Sequence, residues 1–241
     1  MATAPRASAP VVASGAAPAR SALGRFVDAL GVAAFVLVWC LAAAALATGL
    51  SPLEGVWLAC LALPTGHLLA DLFSGLLHWF ADEFFEEDTP LLGPALIFGF
   101  RDHHRNPGDI LEHGLFEVSG YNALATVPVL ASLLLWPPTT LASSVLHGVV
   151  LATALSVALT NQFHRFAHAD RVPRSVAWLQ RKGLILSADG HARHHRGGTR
   201  AYCVTSGWCN PTLDAMGLLP ALSRRVHALT QRWGMRRRVL P

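Results

Sequence analysis

Four runs of apolar residues alternate with polar segments along this chain. They cover roughly residues 26–48, 55–80, 121–136 and 141–163. A helix needs about 20 apolar residues to cross the hydrocarbon core of a bilayer, and the first, second and fourth runs are long enough. The third run is shorter and is compatible with a short span or a re-entrant segment. The pattern predicts an all-α membrane protein with about four transmembrane helices.

Composition agrees with a protein that exposes much of its surface to lipid. Charged residues make up only 14% of the 241 residues, against roughly 25% in an ordinary soluble protein. So few charges cannot cover a globule of this size. The four cysteines form no CxxC pair, which favours buried apolar side chains over a disulfide framework or a zinc ribbon.

The positive charges are restricted to one side of the predicted bundle. All 19 Lys and Arg lie in the N-terminal region through Arg25, in the segment 101–105, or after residue 164. The connections near 49–54 and 137–140 carry none. Because cytoplasmic loops are enriched in Lys and Arg, both termini are expected on the cytoplasmic or stromal side. The expected location is a bacterial inner membrane or a eukaryotic ER or plastid membrane, with multiple spans.

The two ends of the chain differ from its middle. Residues 1–24 are rich in Ala, Pro and Ser and predict a disordered tail, with a cleaved organellar transit peptide as the alternative. Residues 25–220 are expected to form the membrane domain, and 221–241 a basic C-terminal tail. The polar region 169–241 predicts a cytoplasmic cap, in which 176–186 would lie along the membrane interface.

Short histidine-rich boxes lie near the ends of the apolar runs, and twelve histidines occur in all. His164 and His168 are four residues apart, so both imidazoles lie on one face of a helix. His191, His194 and His195 have the spacing i, i+3 and i+4, which again gives one face. The candidate metal ligands are His78, His103, His104, His113, His164, His168, His191, His194 and His195.

The number of these histidines predicts a metal centre in the cap. Burying so many imidazoles costs free energy unless each has a partner. A single zinc takes at most four protein ligands, and Arg165 stands where an HExxH protease has its glutamate. Two irons that activate dioxygen therefore fit best, with no catalytic residue beyond the ligands and no organic cofactor. Asp71, two helical turns before His78, is a candidate ligand or a residue that orients one.

Two further histidines lie within the apolar runs, away from the boxes. His67 precedes His78 by eleven residues, which is about 16 Å along a helix. His147 is similarly distant from His164. Neither can reach the metal ligated by its neighbours, so both are expected to be packed or hydrogen-bonded within the membrane.

The boxes together resemble a known family. Five motifs occur in order over about 67–214: Ala70-Asp71…Ser74-Gly75…His78-Trp79, Phe100-Arg101-Asp102-His103-His104, Asn161-Gln162-Phe163-His164…His168, His191…His194-His195 and Ser206-Gly207-Trp208…Asn210. This order and spacing are similar to those of the CarF/plasmanylethanolamine desaturase family, which also includes the plant plastid fatty-acid desaturase acting on phosphatidylglycerol. The resemblance implies a di-iron membrane desaturase. The stretch from Arg101 through His113 to Glu117 is closer to the ether-lipid branch, whose product is the vinyl ether bond of plasmalogens.

The resemblance implies an O2-dependent oxidoreductase whose substrate is a membrane lipid. Because no flavin, haem or dinucleotide motif is present, electrons would come from a donor such as a cytochrome b5 or a ferredoxin, which suits a basic cytoplasmic face. No nucleic-acid partner is expected. The alternatives are a fatty-acyl desaturase acting on phosphatidylglycerol and a lipid hydroxylase with the same metal site. A non-enzymatic metal-binding protein would instead place its histidines along a path across the membrane.

Overall fold

The computed structural model describes residues 21–197 and 199–232, and all regular structure in those residues is helical. Single turns of π helix (Gly93–Ile97) and 3-10 helix (Asp109–Leu111) flank the third α-helix. The α-helices are α1 Ala22–Ala47, α2 Pro52–Phe84, α3 Phe98–Arg105, α4 Leu115–Leu135, α5 Leu141–His168, α6 Arg174–Arg181, α7 Ala188–Gly197, α8 Asn210–Met216 and α9 Leu218–Arg232. Most of the tail predicted for 1–24, and the end of the basic C-terminal tail, lie outside the described residues.

Four of these helices, α1, α2, α4 and α5, are long and apolar enough to cross a membrane. The predicted all-α fold with about four such helices is therefore confirmed. The third apolar run forms a full helix of 21 residues that begins at Leu115, rather than a short or re-entrant segment. Its polar start is accommodated because α5 supplies hydrogen-bond donors. Asn161 Nδ2 donates to the carbonyl of Val118 over 3.1 Å, and Gln162 Nε2 donates to Ser119 Oγ over 3.3 Å.

The long helices pack in the order α1, α4, α5, α2. Small residues set the closest approaches: a Cβ added at Gly31 of α1 would lie 2.7 Å from the carbonyl oxygen of Gly120. A Cβ added at Gly66 of α2 would lie 2.6 Å from Ala152 Cβ. Small residues at helix contacts are the usual means by which membrane helices bring their backbones together. Leu130, which is fully buried, belongs to the apolar core between these helices.

The helices α2 and α5 run parallel and extend beyond the hydrocarbon core of a bilayer. Gly148 of α5 lies beside Leu58 of α2, and Ser156 lies beside His67. The 33 residues of α2 and the 28 residues of α5 correspond to about 50 Å and 42 Å of helix. A bilayer core is about 30 Å thick. The carboxyl-terminal turns of both helices therefore project from the same side.

The segments after α5 form a cap on these projecting ends. Thr160 of α5 and Thr205 of the cap hydrogen-bond through their hydroxyls over 2.8 Å. Trp79 of α2 packs with Tyr202 and Leu219 of the cap. The described residues of the polar region after residue 168, which are 169–197 and 199–232, thus close over one end of the bundle.

Candidate metal centre

Two groups of potential metal ligands form where α2, α3, α5 and α7 meet. In each group, one ligand atom per residue lies within 4.8 Å of every other. The first group contains His103, His164, His168, His191 and His195, and the second contains His78, Asp82, His104 and His194. The structure thus brings together eight of the nine histidines predicted from the sequence.

The first group consists of imidazoles whose Nε2 atoms face one another. His191 Nε2 lies 2.8 Å from His164 Nε2 and 2.9 Å from His195 Nε2, and His168 Nε2 lies 3.0 Å from His103 Nε2. One nitrogen of His191 cannot share a single proton with two others at once. Two nitrogens that each lie about 2.1 Å from one ion, at a right angle, are about 3 Å apart. The donor set therefore fits a metal ion.

Burial favours the neutral form of three histidines of the first group. Burial, followed by repulsion from His168 and His195, lowers the pKa of His103 to about 2. Burial, followed by repulsion from His104, lowers the pKa of His195 to about 4. Burial also lowers the pKa of His191 well below its ordinary value. Because only a neutral imidazole ligates a metal, these three histidines can accept an ion at neutral pH without losing protons.

The second group combines three imidazoles with one carboxylate. Asp82 Oδ2 lies 3.1 Å from His104 Nε2, 3.4 Å from His78 Nε2 and 3.6 Å from His194 Nε2. His78 Nε2 and Asp82 Oδ1 are buried without a hydrogen-bond partner in the described part of the chain. Buried polar atoms are normally paired. A cation bound between the four side chains would satisfy His78 Nε2, so this group also fits a metal ion.

Helix geometry divides the boxes between the two groups. His103 and His104 are adjacent on α3, so their side chains point about 100° apart, and each joins a different group. Their ring centroids are 6.1 Å apart. On α7, His191 and His195 face the first group, whereas His194 faces the second. Both α3 and α7 contribute to both groups, so the groups are immediate neighbours.

The residues 67–238 match the family model described as the lipid desaturase domain. The chain belongs to the lipid desaturase family. The resemblance recognised from the histidine boxes is therefore confirmed. No solved structure matches the chain.

Three relatives each share about a third of the aligned residues with the chain. The chain is 36% identical over 177 residues to the plasmanylethanolamine desaturase of Myxococcus xanthus, covering 73% of this chain and 63% of that protein. It is 33% identical over 181 residues to mouse plasmanylethanolamine desaturase 1, covering 72% and 66%. It is 36% identical over 162 residues to Arabidopsis thaliana fatty acid desaturase 4, chloroplastic, covering 65% and 48%. The chain thus spans less than two thirds of the length of these family members.

Backbone carbonyls of the cap hold the histidines of the second group in place. His78 Nδ1 lies 3.1 Å from the carbonyl oxygen of Tyr202, and His194 Nδ1 lies 2.8 Å from that of Arg200. A carbonyl only accepts hydrogen bonds, so each Nδ1 carries the proton and each Nε2 lone pair is left for a metal. The segment 200–202 therefore fixes the tautomer of both histidines.

Asp71 lies outside both groups and anchors this part of the cap. Its buried carboxylate accepts hydrogen bonds from the backbone N–H groups of Ser206 and Gly207, each over 2.8 Å, and of Cys209, over 2.9 Å. The two helical turns that put Asp71 on the same face as His78 also separate them by about 10 Å. The contacts make Asp71 a support for the segment that follows Tyr202 rather than a neighbour of the ligand atoms.

His113 also lies outside both groups. Its Nε2 is 2.8 Å from Asp109 Oδ2 and its Nδ1 is 3.1 Å from Glu117 Oε1. Burial lowers the pKa of His113, but the two carboxylates outweigh it and raise the pKa above its ordinary value. Both ring nitrogens already have acidic partners, so neither points to the two groups.

Sequence reasoning missed Asp82 as a member of the second group. The residue begins an acidic stretch that has the composition of a solvated loop. The available signal is its spacing: Asp82 follows His78 by four residues on α2, which places both side chains on one helix face.

The two histidines within the apolar runs are hydrogen-bonded at a distance from both groups, which confirms their expected pairing. His67 Nδ1 lies 3.0 Å from Ser156 Oγ, and its Nε2 lies 2.8 Å from the carbonyl oxygen of Leu184. His147 lies 2.7 Å from the carbonyl oxygens of Ser143 and Trp136. Each therefore ties a long helix to an adjoining segment.

Proposed function

We propose that this chain is a di-iron lipid desaturase that forms the vinyl ether bond of plasmalogens. The observation that carries the proposal is the pair of adjacent ligand groups. Each group would hold one iron, so the pair would hold two. Imidazole-rich donor sets that include a carboxylate suit non-haem iron. The proposed ligands are the eight grouped histidines and Asp82. Asp71 and His113 have supporting roles.

The bound irons would activate O2 to an oxidant able to remove hydrogen from an unactivated chain carbon. The overall reaction removes two hydrogens from adjacent carbons and reduces O2 to two waters, using two electrons and two protons. The residues of the chain orient the ligands and exclude water. His78, His191 and His194 are almost completely buried, and Tyr202 packs its ring 4.9 Å from that of His194. A dry and rigid site limits the loss of a reactive oxidant to solvent.

The height of the two groups supports a bond near the lipid headgroup. His78 lies 26 residues after Pro52 in α2, and His164 lies 23 residues after Leu141 in α5. These positions are about 39 Å and 35 Å from the helix starts, beyond the roughly 30 Å of a hydrocarbon core. Chain carbons that adjoin the glycerol lie close to the level of the two ligand groups. Carbons in the middle of a chain would have to be drawn out of the hydrocarbon core to reach it. The names of the Myxococcus and mouse relatives support the same substrate.

A fatty-acyl desaturase acting on phosphatidylglycerol is the second candidate. It is supported by the 36% identity to the chloroplastic fatty acid desaturase of Arabidopsis. An acyl carbon close to the ester would reach the same level of the membrane. A lipid hydroxylase would use the same ligand set.

Charge supports a cytoplasmic or stromal location for the metal centre and an external electron donor. The short connections at 48–51 and 136–140 carry no Lys or Arg, whereas Arg residues are frequent in α6 and α7. By the positive-inside rule, this distribution supports a cap on the cytoplasmic or stromal side. A small acidic carrier such as a cytochrome b5 or a ferredoxin would be attracted to this face.

The test is lipid mass spectrometry of a host that lacks plasmalogens, with and without this chain. We expect a new ether phospholipid that is two mass units lighter than its precursor. Unlike the precursor, this product should release an aldehyde on acid treatment. The variants His164→Ala and His194→Ala, at equal membrane expression, should give none. A hydroxylated product, or a double bond in a fatty acyl chain, would replace this proposal with one of its alternatives.

A further inference from the structure

The outer face of α7 carries arginines that the metal centre does not use. His191, His194 and His195 turn towards the two ligand groups, whereas Arg193 and Arg196, three residues apart, are exposed. The exposed Arg200 follows in the next segment. Together they border a cleft at the end of the helix, lined by Arg193, Arg196, Gly197, Thr199, Arg200 and Asp214.

This cleft has a positive charge that the described chain does not neutralise. Within 21–197 and 199–232, none of the three guanidinium groups forms an ion pair. The one acidic side chain of the lining, Asp214, accepts a hydrogen bond from the backbone N–H of Ala201 over 3.2 Å. Exposed, unpaired arginines in a cleft are suited to bind carboxylates or phosphates through bidentate hydrogen bonds.

The cleft is separated from the ligand groups by a single helix. An α-helix is about 10–12 Å across with its side chains, so a partner on the arginine face comes within about that distance of the histidines on the opposite face. The backbone of the arginine surface also contacts the second ligand group directly, because the carbonyl oxygen of Arg200 lies 2.8 Å from His194 Nδ1.

The opposite faces of α7 favour an electron carrier over a lipid headgroup as the partner. In a lipid whose reacting carbons adjoin the glycerol, only a few bonds join those carbons to the phosphate. Such a lipid cannot place its carbons on the histidine face and its phosphate on the arginine face. An electron carrier has no such constraint, because it needs only to approach the metals closely.

We propose that the surface formed by Arg193 and Arg196 of α7 and by Arg200 of the next segment is the docking surface for a small acidic one-electron carrier protein. The inference rests on the proposed desaturase function, which consumes two electrons per double bond. Two reduced carriers would dock in turn, and each would be oxidised as it passes one electron to the metal centre. Acidic side chains of the carrier would pair with the arginines, and such pairing mainly speeds and orients the encounter.

A charge-reversed double variant, Arg193→Glu with Arg196→Glu, tests the surface in the full-length protein in nanodiscs. The probes are a [2Fe–2S] ferredoxin and the soluble domain of a cytochrome b5. For whichever carrier binds the native protein, we expect the double variant to bind it at least about tenfold more weakly at low ionic strength. The affinity of the double variant should also depend less steeply on salt concentration. The matched control is Arg224→Glu with Arg225→Glu on α9, which should change binding by less than about twofold.

A single-turnover experiment separates docking from catalysis. The protein is reduced anaerobically with dithionite, desalted and exposed to oxygen with an ether phospholipid. We expect the double variant to yield as much product as the native protein here, and to lose product when the carrier is the only reductant. If the desaturase proposal itself fails, neither the native protein nor the double variant forms product. The binding comparison still shows whether the carrier docks on the arginine surface.

Four outcomes would overturn the docking proposal. Three of them concern binding. The double variant could bind the carrier as tightly as the native protein does, the native protein could bind neither carrier, or the α9 control could lose as much carrier affinity as the double variant. The fourth is loss of product by the double variant after dithionite reduction, which would assign the arginines to the lipid headgroup.

Discussion

Replacing Asp82 by asparagine separates the two ligand groups experimentally. Asn has nearly the same shape, but it lacks the negative charge and one of the two carboxylate oxygens. Asp82 Oδ2 is the atom shared by the contacts to His78, His104 and His194, at 3.1–3.6 Å. The change therefore replaces the only anionic donor of the second group by a neutral amide, while it leaves the five histidines of the first group intact.

The expected size of the effect follows from this contact pattern. Loss of a partner that only orients a metal ligand typically lowers metal affinity about 10–100-fold. Loss of the negative charge of a ligand itself should reach the upper end of that range or exceed it, which is about 2.7 kcal/mol or more. We expect Asp82→Asn to retain about one iron per chain instead of two and to form product at background level. Elemental analysis and lipid mass spectrometry on the same preparation measure both quantities.

Glu83→Gln is the matched control, because it neutralises the adjacent carboxylate. Glu83 Oε1 pairs with His227 Nε2 over 2.7 Å and belongs to neither ligand group. This variant should keep both irons and most of its activity. If Asp82→Asn kept two irons and native activity, or if Glu83→Gln lost as much as Asp82→Asn, the assignment of Asp82 to the second group would be refuted.

Three further outcomes are expected. Asp71→Asn should lower the stability of the protein by about 2–4 kcal/mol, because charge-assisted hydrogen bonds to three backbone N–H groups are weakened; an unchanged thermal midpoint in detergent would contradict this. His147→Gln should retain substantial activity at equal expression, since His147 hydrogen-bonds only to nearby carbonyls; activity at background would place the site at another depth. The metal-free protein should lose stability as the pH falls from about 6.5 to 4, because the unfolded state then binds protons that buried His103 and His195, with pKa values of about 2 and 4, do not. A thermal midpoint that rises over this pH range would show the sign to be wrong.

Most of the helical architecture could be predicted from the sequence because apolar runs of membrane length leave few alternatives. The exception was the start of α4. There the sequence shows polar residues, and only the fold reveals that Asn161 and Gln162 of α5 hydrogen-bond to that stretch. A side chain that satisfies a polar group from another helix leaves no mark in the local pattern.

The histidine boxes could be found from their spacing, but their division into two groups could not. Neighbours such as His103 and His104 look like one box in sequence, and only the placement of α3 between the other helices separates them. The same limit applies to Asp71 and Asp82. Both share a helix face with His78, and the sequence does not show that Asp71 meets the backbone of the cap while Asp82 meets the imidazoles.

The central claim is that the two groups hold two irons, and metal stoichiometry tests it most directly. Full-length protein purified from iron-replete cells should contain about two irons per chain by elemental analysis. Mössbauer spectra of the iron-57 protein should show high-spin ferrous iron after reduction. The double variant His164→Ala with His194→Ala, which removes one imidazole from each group, should contain almost none. Stoichiometric zinc without iron in the native protein would contradict the account.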